Sequence, residues 1–204
     1  MNLSRMLIPF VLAAGLSLAG CGGGGGSIAS TGGGGIGGTG ITSTGTIDGF
    51  GSIFVNGVEF ETDESDVSLD GLTSTQDKLR LGMVVTVHGT VNADGKTGTA
   101  DQVVFDDDVQ GPVSAIVPGQ DGDSLLLTVL GVDIIAERTG TVFDGVSFDT
   151  LAVGDLVEVS GFVENGVQLR ATRIEKKSTE DVELKGTVSG LTGTTFTRNA
   201  FVVE

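Results

Sequence analysis

The chain repeats its own sequence at intervals of about 65 to 75 residues, which points to a tandem array of small domains. One copy begins at Gly45-Thr46-Ile47, a second at Gly111-Pro112-Val113 and a third at Gly186-Thr187-Val188. Within the first two copies, LRLGMVVTVHGTV (79–91) corresponds to LAVGDLVEVSGFV (151–163). Each full copy is therefore expected to form one folding unit, and the units are expected to share a topology.

Alternating apolar and polar residues predict that the copies consist of short β-strands. The segment SIFVNGVEFET (52–62) alternates around Asn56-Gly57, a strong signal for a two-residue hairpin because both residues tolerate positive φ. The second copy has SLLLTVLGVDIIAE (124–137), with its turn at Leu130-Gly131. Each copy has a first strand, a hairpin, a variable connection and a second hairpin. Five strands in so short a unit favour a Greek-key barrel of the oligonucleotide/oligosaccharide-binding (OB) type.

The predicted fold is all-β, with two tandem five-stranded OB-like barrels at residues 45–109 and 110–181. Domains this small, without disulfides, are expected to pack against each other. Residues 182–204 form an incomplete third repeat, a hairpin turning at Arg198-Asn199 that lacks segments equivalent to 79–105. Three explanations are open: the hairpin docks on the second barrel, the chain is a piece of a longer protein, or the hairpin donates strands to a partner.

The N-terminus carries a secretory signal. Arg5 is followed by an apolar run from Met6 to Leu18, too short to span a bilayer, and then by small residues before Cys21. The sequence Leu18-Ala19-Gly20-Cys21 resembles the lipobox of bacterial lipoproteins. The resemblance implies that residues 1–20 are removed and that Cys21 is lipidated, so the membrane is a partner through this anchor.

Residues 21–44 are interpreted as the lipidated cysteine followed by a tether. The segment from Gly22 to Thr44 is so rich in glycine that it cannot offset its ordering entropy. Its typical reach is roughly 25 to 29 Å. Gly22, where Asp would be the alternative, resembles the pattern routed to the outer membrane of Gram-negative cells. We therefore expect an envelope protein of the outer membrane, and its periplasmic or surface exposure stays open.

The charge balance argues against nucleic acid as a partner. The chain has 11 basic and 27 acidic residues, for a formal net charge of −16. Binding phosphates requires clustered Lys and Arg, which this chain lacks. Trp and Tyr are absent, and this weighs against the aromatic platforms on which sugar rings usually stack.

No catalytic residue, metal site or cofactor site is predicted. His88 is the only histidine, and it lies with Thr86 and Thr90 on the exterior face of its strand. Ser160 takes its place in the second copy, and no G-x-S-x-G turn occurs. One histidine and one acylated cysteine, Cys21, cannot fill a tetrahedral metal shell.

Two local motifs only approximate binding loops. Gly89 and Gly95-Lys96-Thr97 are similar to a phosphate-binding loop, but five residues separate the glycines where four are required. Asp121-Gly122-Asp123 is similar to the start of a calcium loop, but Leu125 lies where an oxygen ligand is needed. Irregular calcium binding stays open for the loop carboxylates Asp63, Glu64 and Asp66.

Four phrases carry a family resemblance: GFGSIFVNGVEFET (49–62), 79–91, 151–163 and LKGTV (184–188). Together they resemble the bacterial family of domain of unknown function 5666, which recurs in tandem in exported lipoproteins. The resemblance covers nearly everything from Gly45 onward. It implies small β-barrel repeats on a lipid anchor, and it brings no catalytic residues.

These observations predict a non-enzymatic, lipid-anchored envelope protein that acts as a binding or spacer module. An envelope protein or a glycan is the expected partner. Two alternatives are an enzyme acting on polysaccharide, which needs two carboxylates roughly 5 to 10 Å apart, and an assembly subunit that donates strands.

Overall fold

The computed structural model describes residues 40–178, 181–185, 188–192, 195–198 and 201–203, with side chains up to residue 185. In this part of the chain the fold is all-β, with one 3-10 turn at Gln76–Lys78. No helix of the described residues is long and apolar enough to cross a membrane.

Seventeen strands make up the described fold. The first repeat contains β1 (Gly40–Phe50), β2 (Ile53–Val55), β3 (Val58–Glu61), β4 (Asp66–Leu69), β5 (Leu72–Ser74), β6 (Val84–Val91) and β7 (Thr97–Phe105). The second contains β8 (Val109–Pro118), β9 (Ser124–Val129), β10 (Val132–Glu137), β11 (Val142–Asp144), β12 (Leu156–Glu164) and β13 (Gln168–Lys176). They are followed by β14 (Glu183–Leu184), β15 (Val188–Thr192), β16 (Thr195–Arg198) and β17 (Phe201–Val203).

Five strands of each repeat close into a barrel, and the order is the same in both. In barrel 1 the order is β1-β2-β3-β7-β6, and β6 returns to pair with β1. In barrel 2 it is β8-β9-β10-β13-β12, closed by β8. Only the pairs β3–β7 and β10–β13 are parallel within these barrels. This arrangement confirms the predicted pair of OB-like Greek-key barrels.

The predicted hairpin turns are present in equivalent form. Asn56 and Gly57 have φ of 54° and 77°, and Leu130 and Gly131 have φ of 49° and 76°. Consecutive positive φ values are those of the tight turn whose twist matches antiparallel strands. Gly111, which opens the second copy, faces the turn, and a Cβ there would lie 2.9 Å from Leu130 Cγ. The opening glycine therefore leaves room for the turn residue.

Apolar side chains fill each barrel separately, because strand residues alternate between interior and exterior. The core of barrel 1 contains Ile47, Ile53, Val55, Phe60, Val67, Leu79, Met83, Val85, Val87, Ala100, Val103 and Phe105. The core of barrel 2 contains Val109, Val113, Leu125, Leu127, Val129, Val132, Ile134, Ala136, Leu151, Val157, Val159, Leu169, Ala171 and Ile174.

The variable connection of each copy holds strands that the alternation pattern does not reveal. In the first copy β4 and β5 form a hairpin, and β4 pairs in parallel with β7. In the second copy β11 pairs in parallel with β13. The first strand begins at Gly40 rather than near residue 45, because residues 40–44 pair with β6.

The segment predicted to be an incomplete third repeat contains a separate three-stranded sheet. Strands β15, β16 and β17 form an antiparallel meander, and within the described residues they pair only with one another. The predicted turn at Arg198-Asn199 lies partly outside the described residues.

Candidate functional site at the junction of the two barrels

The two barrels contact each other through the loop that precedes β6. Val84 N–H donates to Ser160 Oγ at 2.8 Å, and Thr172 Oγ1 donates to the carbonyl oxygen of Gly82 at 2.6 Å. Gly82 has a φ of +83°, and a Cβ there would lie 2.7 Å from the carbonyl oxygen of Thr172. The close approach of the two backbones at this point requires glycine.

A buried arginine strengthens this contact. Arg173 is 3% exposed, and its Nη1 donates to the carbonyl oxygen of Leu81 at 3.2 Å. Its Nη2 donates to Asp144 and to Glu175 Oε2, the latter at 2.9 Å. Two carboxylates therefore balance the buried charge, and the guanidinium fork reaches both of them as well as the other barrel. Arg173 links barrel 2 to the backbone of barrel 1.

The linker between the barrels consists of Asp106, Asp107 and Asp108. The side chain of Asp107 is 2% exposed, and Lys185 Nζ lies 3.3 Å from its Oδ1. Burial, together with the negative charges of Asp70 and Glu183, raises the pKa of Asp107 to about 7. The linker therefore holds a carboxyl group that titrates near neutral pH.

Strand β14 and Lys185 bind this linker from the other side. β14 pairs antiparallel with the start of β8, and Lys185 N–H donates to the carbonyl oxygen of Asp108 at 3.3 Å. Lys185 Nζ donates to Asp70 Oδ1 at 2.8 Å. Burial is the largest single influence on the pKa of Asp70 and acts to raise it, but the bond and charge of Lys185 and the hydrogen bonds with Asp107 together lower the pKa. Barrel 1, the linker and β14 therefore meet at one cation.

Strand β12 has one edge that is only half covered. β8 pairs with β12 from Leu156 to Val159 and no further. Asp108 Oδ2 then accepts the N–H of Gly161 at 3.0 Å, because the three linker aspartates leave the sheet. In the part of the chain that the structure describes, no strand covers residues 160–164 on this side. The barrel therefore has a short open edge beside the linker.

A cleft of about 280 Å³ lies next to this edge, between the two barrels. Its apolar side includes Phe162 and Val163, which are 41% and 42% exposed. Its polar side has the hydroxyls of Thr44 and Thr86, whose oxygens lie 3.0 Å apart. The lining also includes the carboxylates of Asp106 and Asp108 and no cationic side chain.

A second hollow, of about 600 Å³, lies beside the 3-10 turn of barrel 1. Phe50 is 45% exposed there. Arg80 Nη1 donates to the backbone carbonyl oxygens of Asp77 and Leu79, at 2.6 and 2.8 Å. The only cation that lines this hollow is therefore bound to its own chain.

His88 lies on the exterior face of β6, as its spacing from the buried Val85 and Val87 predicts. Thr42 Oγ1 lies 3.0 Å from its Nδ1. Ser160, its counterpart in barrel 2, is buried against barrel 1 instead. The two side chains hold equivalent positions and make different contacts.

The residues that only approximate binding loops lie in turns. Asp94 Oδ1 accepts the N–H groups of Lys96 and Thr97, at 2.8 and 3.0 Å, so the glycine-containing segment is a hairpin turn. Asp121 Oδ1 accepts the N–H of Asp123 at 3.0 Å in the turn before β9, and this bond lowers the pKa of Asp121. The described residues contain no group of three or more His, Cys, Asp or Glu placed to hold a metal ion. Asp63 and Glu64 are exposed in the turn between β3 and β4, and Asp66 is exposed at the start of β4.

The predicted anchor lies outside the described residues, which begin at residue 40. This applies to the signal at 1–20, to Cys21 and to most of the tether at 21–44. They stay predictions of the sequence.

The sequence does not reveal the residues of the junction. No local pattern marks Arg173, and Ser160 is notable only as the counterpart of His88. The one signal that could point to Arg173 is a difference between the copies, because Arg173 stands where the first copy has Gln102. A run of three aspartates is typical of a solvated connector, but Asp107 is buried.

A protein-family comparison assigns the two barrels to one family. The family model described as "Domain of unknown function (DUF5666)" matches residues 41–103 and 110–175. The matched segments are similar in extent to barrel 1 and barrel 2. No curated protein and no solved structure matches the chain.

Proposed function

The chain belongs to the DUF5666 family, and on this premise we propose that it is a non-catalytic, lipid-anchored module of the bacterial cell envelope. In this proposal the two barrels bind a partner and hold it at a distance from the membrane. The anchor is Cys21, and the glycine-rich segment that follows it is the tether.

The observation that carries the proposal is the direct joint between the barrels. Ser160, Thr172 and Arg173 of barrel 2 all bond to the backbone of barrel 1 within four consecutive residues, 81–84. A pair of domains joined only by a flexible linker would not present one fixed binding surface. This joint, with β14 across the linker, supports a stiff two-barrel body and a cleft of constant shape.

The chemistry of the cleft supports binding rather than catalysis. Asp106 and Asp108 are the only carboxylates among its lining residues. Asp108 Oδ2 accepts the N–H of Gly161, and Asp106 Oδ1 lies 3.3 Å from Lys185 Nζ. Glycoside hydrolysis requires one carboxyl group that donates a proton and a second that attacks or activates water. Both carboxylates here already make bonds that hold the junction together.

Metabolic labelling with palmitate tests the anchor. Wild-type protein is expected to incorporate the label and to sediment with membranes, and Cys21→Ser is expected to lose both properties. Gly22→Asp is the matched control, because it keeps the lipid and is expected to move the protein from the outer to the inner membrane fraction. A Cys21→Ser protein that still incorporates palmitate would refute the proposal.

A further inference from the structure

We propose that the open edge of β12 binds an extended, basic peptide segment of a partner protein, which adds one strand to barrel 2. This peptide would be the ligand of the proposed binding module. The inference rests on the proposed function only for the compartment in which the protein meets its partner. Addition of a strand to an exposed sheet edge is an established mode of peptide recognition.

Barrel 1 shows what a covered edge looks like at the same positions. Its strand β1 pairs with β6 from Gly40↔Thr90 to Thr46↔Val84. In barrel 2 the equivalent pairing runs only from Val109↔Val159 to Pro112↔Leu156. The three missing positions are those of the linker aspartates, which connect to barrel 1. A strand of about three residues therefore fits the edge that the linker leaves open.

The backbone of β12 presents hydrogen-bonding groups to this edge. Val113 N–H donates to the carbonyl oxygen of Asp155 at 2.9 Å, and Asp108 N–H donates to the carbonyl oxygen of Val159 at 3.1 Å. The backbone N–H and C=O groups of the odd-numbered residues in this segment therefore face the β8 side. Antiparallel strands alternate the direction of these groups. Val163 therefore directs its N–H and C=O to the open edge, and Gly161 directs its C=O there. An incoming strand can pair with all three groups.

The surroundings select the chemistry of that strand. Phe162 and Val163 offer exposed apolar surface, which favours β-branched side chains on the incoming strand. The carboxylates of Asp106 and Asp108 line the cleft. Lys185 Nζ lies within 2.8 to 3.3 Å of four carboxylates, those of Asp70, Asp106, Asp107 and Glu183. Lys or Arg on the peptide would meet this excess negative charge. Charge complementarity of this kind speeds association and rejects acidic competitors.

The same charge argues against a second copy of this chain as the occupant. The formal net charge is −16, so two copies repel each other as they approach. A basic segment from another protein is instead attracted to this negative charge.

Fluorescence anisotropy with a labelled probe peptide, Thr-Val-Lys-Val-Lys-Thr, tests the proposal at roughly 0.15 M salt, where weak surface attraction is screened. The protein is the chain from residue 22 onward, without the lipid. Saturable binding is expected. The peptide with Glu in place of both Lys residues is expected to bind at least roughly tenfold more weakly.

Val163→Pro is the decisive variant. Proline is tolerated at an edge position whose N–H faces away from the existing ladder. The change removes the edge donor and is expected to weaken probe binding by at least roughly tenfold. Val153→Ser is the matched control, since Val153 is 62% exposed away from this edge. It is expected to bind the probe like the wild type.

Amide hydrogen exchange on the wild type gives a test that does not depend on any variant. Saturating probe is expected to slow exchange at Val163. The Gly89 amide, already paired with Ile41 in barrel 1, is expected to be unchanged.

Equal binding to wild type and Val163→Pro, or equal binding of the acidic peptide, would overturn the proposal. Self-association of the wild type that Val163→Pro abolishes would also overturn it, because a second copy would then be the occupant. None of these measurements uses the anchor, so their failure is distinct from loss of palmitate labelling.

Discussion

Barrel 1 and barrel 2 have the same strand order, but equivalent exterior positions have different surroundings. Gln102 on β7 is exposed and His88 on β6 bonds to Thr42 of its own barrel, whereas Arg173 and Ser160 are buried against the other barrel. The ladder beneath these side chains has the same register in both repeats. A domain contact can therefore be added to a repeat by changing a few exterior side chains, without any change in the fold.

The largest expected difference in stability is between alanine substitutions at the two equivalent loop glycines. Gly82→Ala is expected to lower the free energy of unfolding by about 3–5 kcal/mol, because a Cβ meets the carbonyl of Thr172 and the φ is positive. Gly154 has a φ of +94° and no atom within 4 Å of a Cβ, so Gly154→Ala is expected to cost only about 1–2 kcal/mol. Urea denaturation measures both. Equal losses would show that the barrels do not depend on this contact.

The second comparison concerns the side chains on the fifth barrel strand. Arg173→Ala is expected to cost about 2–4 kcal/mol, because it removes charged hydrogen bonds from a buried position. Gln102→Ala, at the exposed equivalent, is expected to change stability by less than about 0.5 kcal/mol. Arg173→Lys should recover only part of the loss, since a single ammonium lacks the guanidinium fork. Full recovery by Lys would mean that charge alone is sufficient.

The third comparison concerns the segments that follow each barrel. Asp107, after barrel 1, has its pKa raised to about 7, whereas the equivalent residue after barrel 2 is Ser178. The folded state holds a proton that the unfolded state releases near pH 4, so this group's contribution to stability falls as pH rises from about 4 to about 7.

Asp107→Asn is expected to remove this group's contribution to the pH dependence of stability. The variant is expected to be more stable than the wild type by about 1–3 kcal/mol at pH 8 and similar to it at pH 4. Thermal unfolding across this pH range measures the difference. A constant difference between the two proteins at all pH values would contradict the buried titration.

The smallest effects are expected at the hairpin turns. Asn56 Nδ2 donates to the carbonyl oxygen of Thr44 at 2.9 Å and to Ser43 Oγ at 3.1 Å. Asn56→Leu is therefore expected to lower the free energy of unfolding by about 1 kcal/mol. Leu130→Asn is expected to change stability by less than about 0.5 kcal/mol, because relief at a positive φ offsets lost packing. Calorimetry of both variants checks the asymmetry. A larger loss for Leu130→Asn would reverse it.

Much of the fold was predictable because its signals are local. Asn56-Gly57 and Leu130-Gly131 mark turns between alternating segments, and the correspondence of 79–91 with 151–163 places the second hairpins. Strands β4, β5 and β11 were not predictable in this way. They are short, and β4 and β11 are held by parallel pairing with strands that lie far away in the sequence.

The candidate site was less predictable, because it exists only where the barrels meet. An arginine at an exterior strand position is normally a solvated residue, and only the placement of residues 81–84 against Arg173 makes it buried. The exterior position of His88 was predictable from alternation alone. The open edge of β12 follows from where the chain leaves the sheet at Asp108, a position that no local pattern marks.

Closure of each barrel by a parallel pair also sets an order of events in folding. The pairs β3–β7 and β10–β13 join an early strand to the last one, so neither barrel can close until its final strand is available. The chain emerges with its N-terminus first, and barrel 1 can therefore close while barrel 2 is still incomplete. The contacts of Gly82 and Val84 with Thr172 and Ser160 can form only after β12 and β13 have followed.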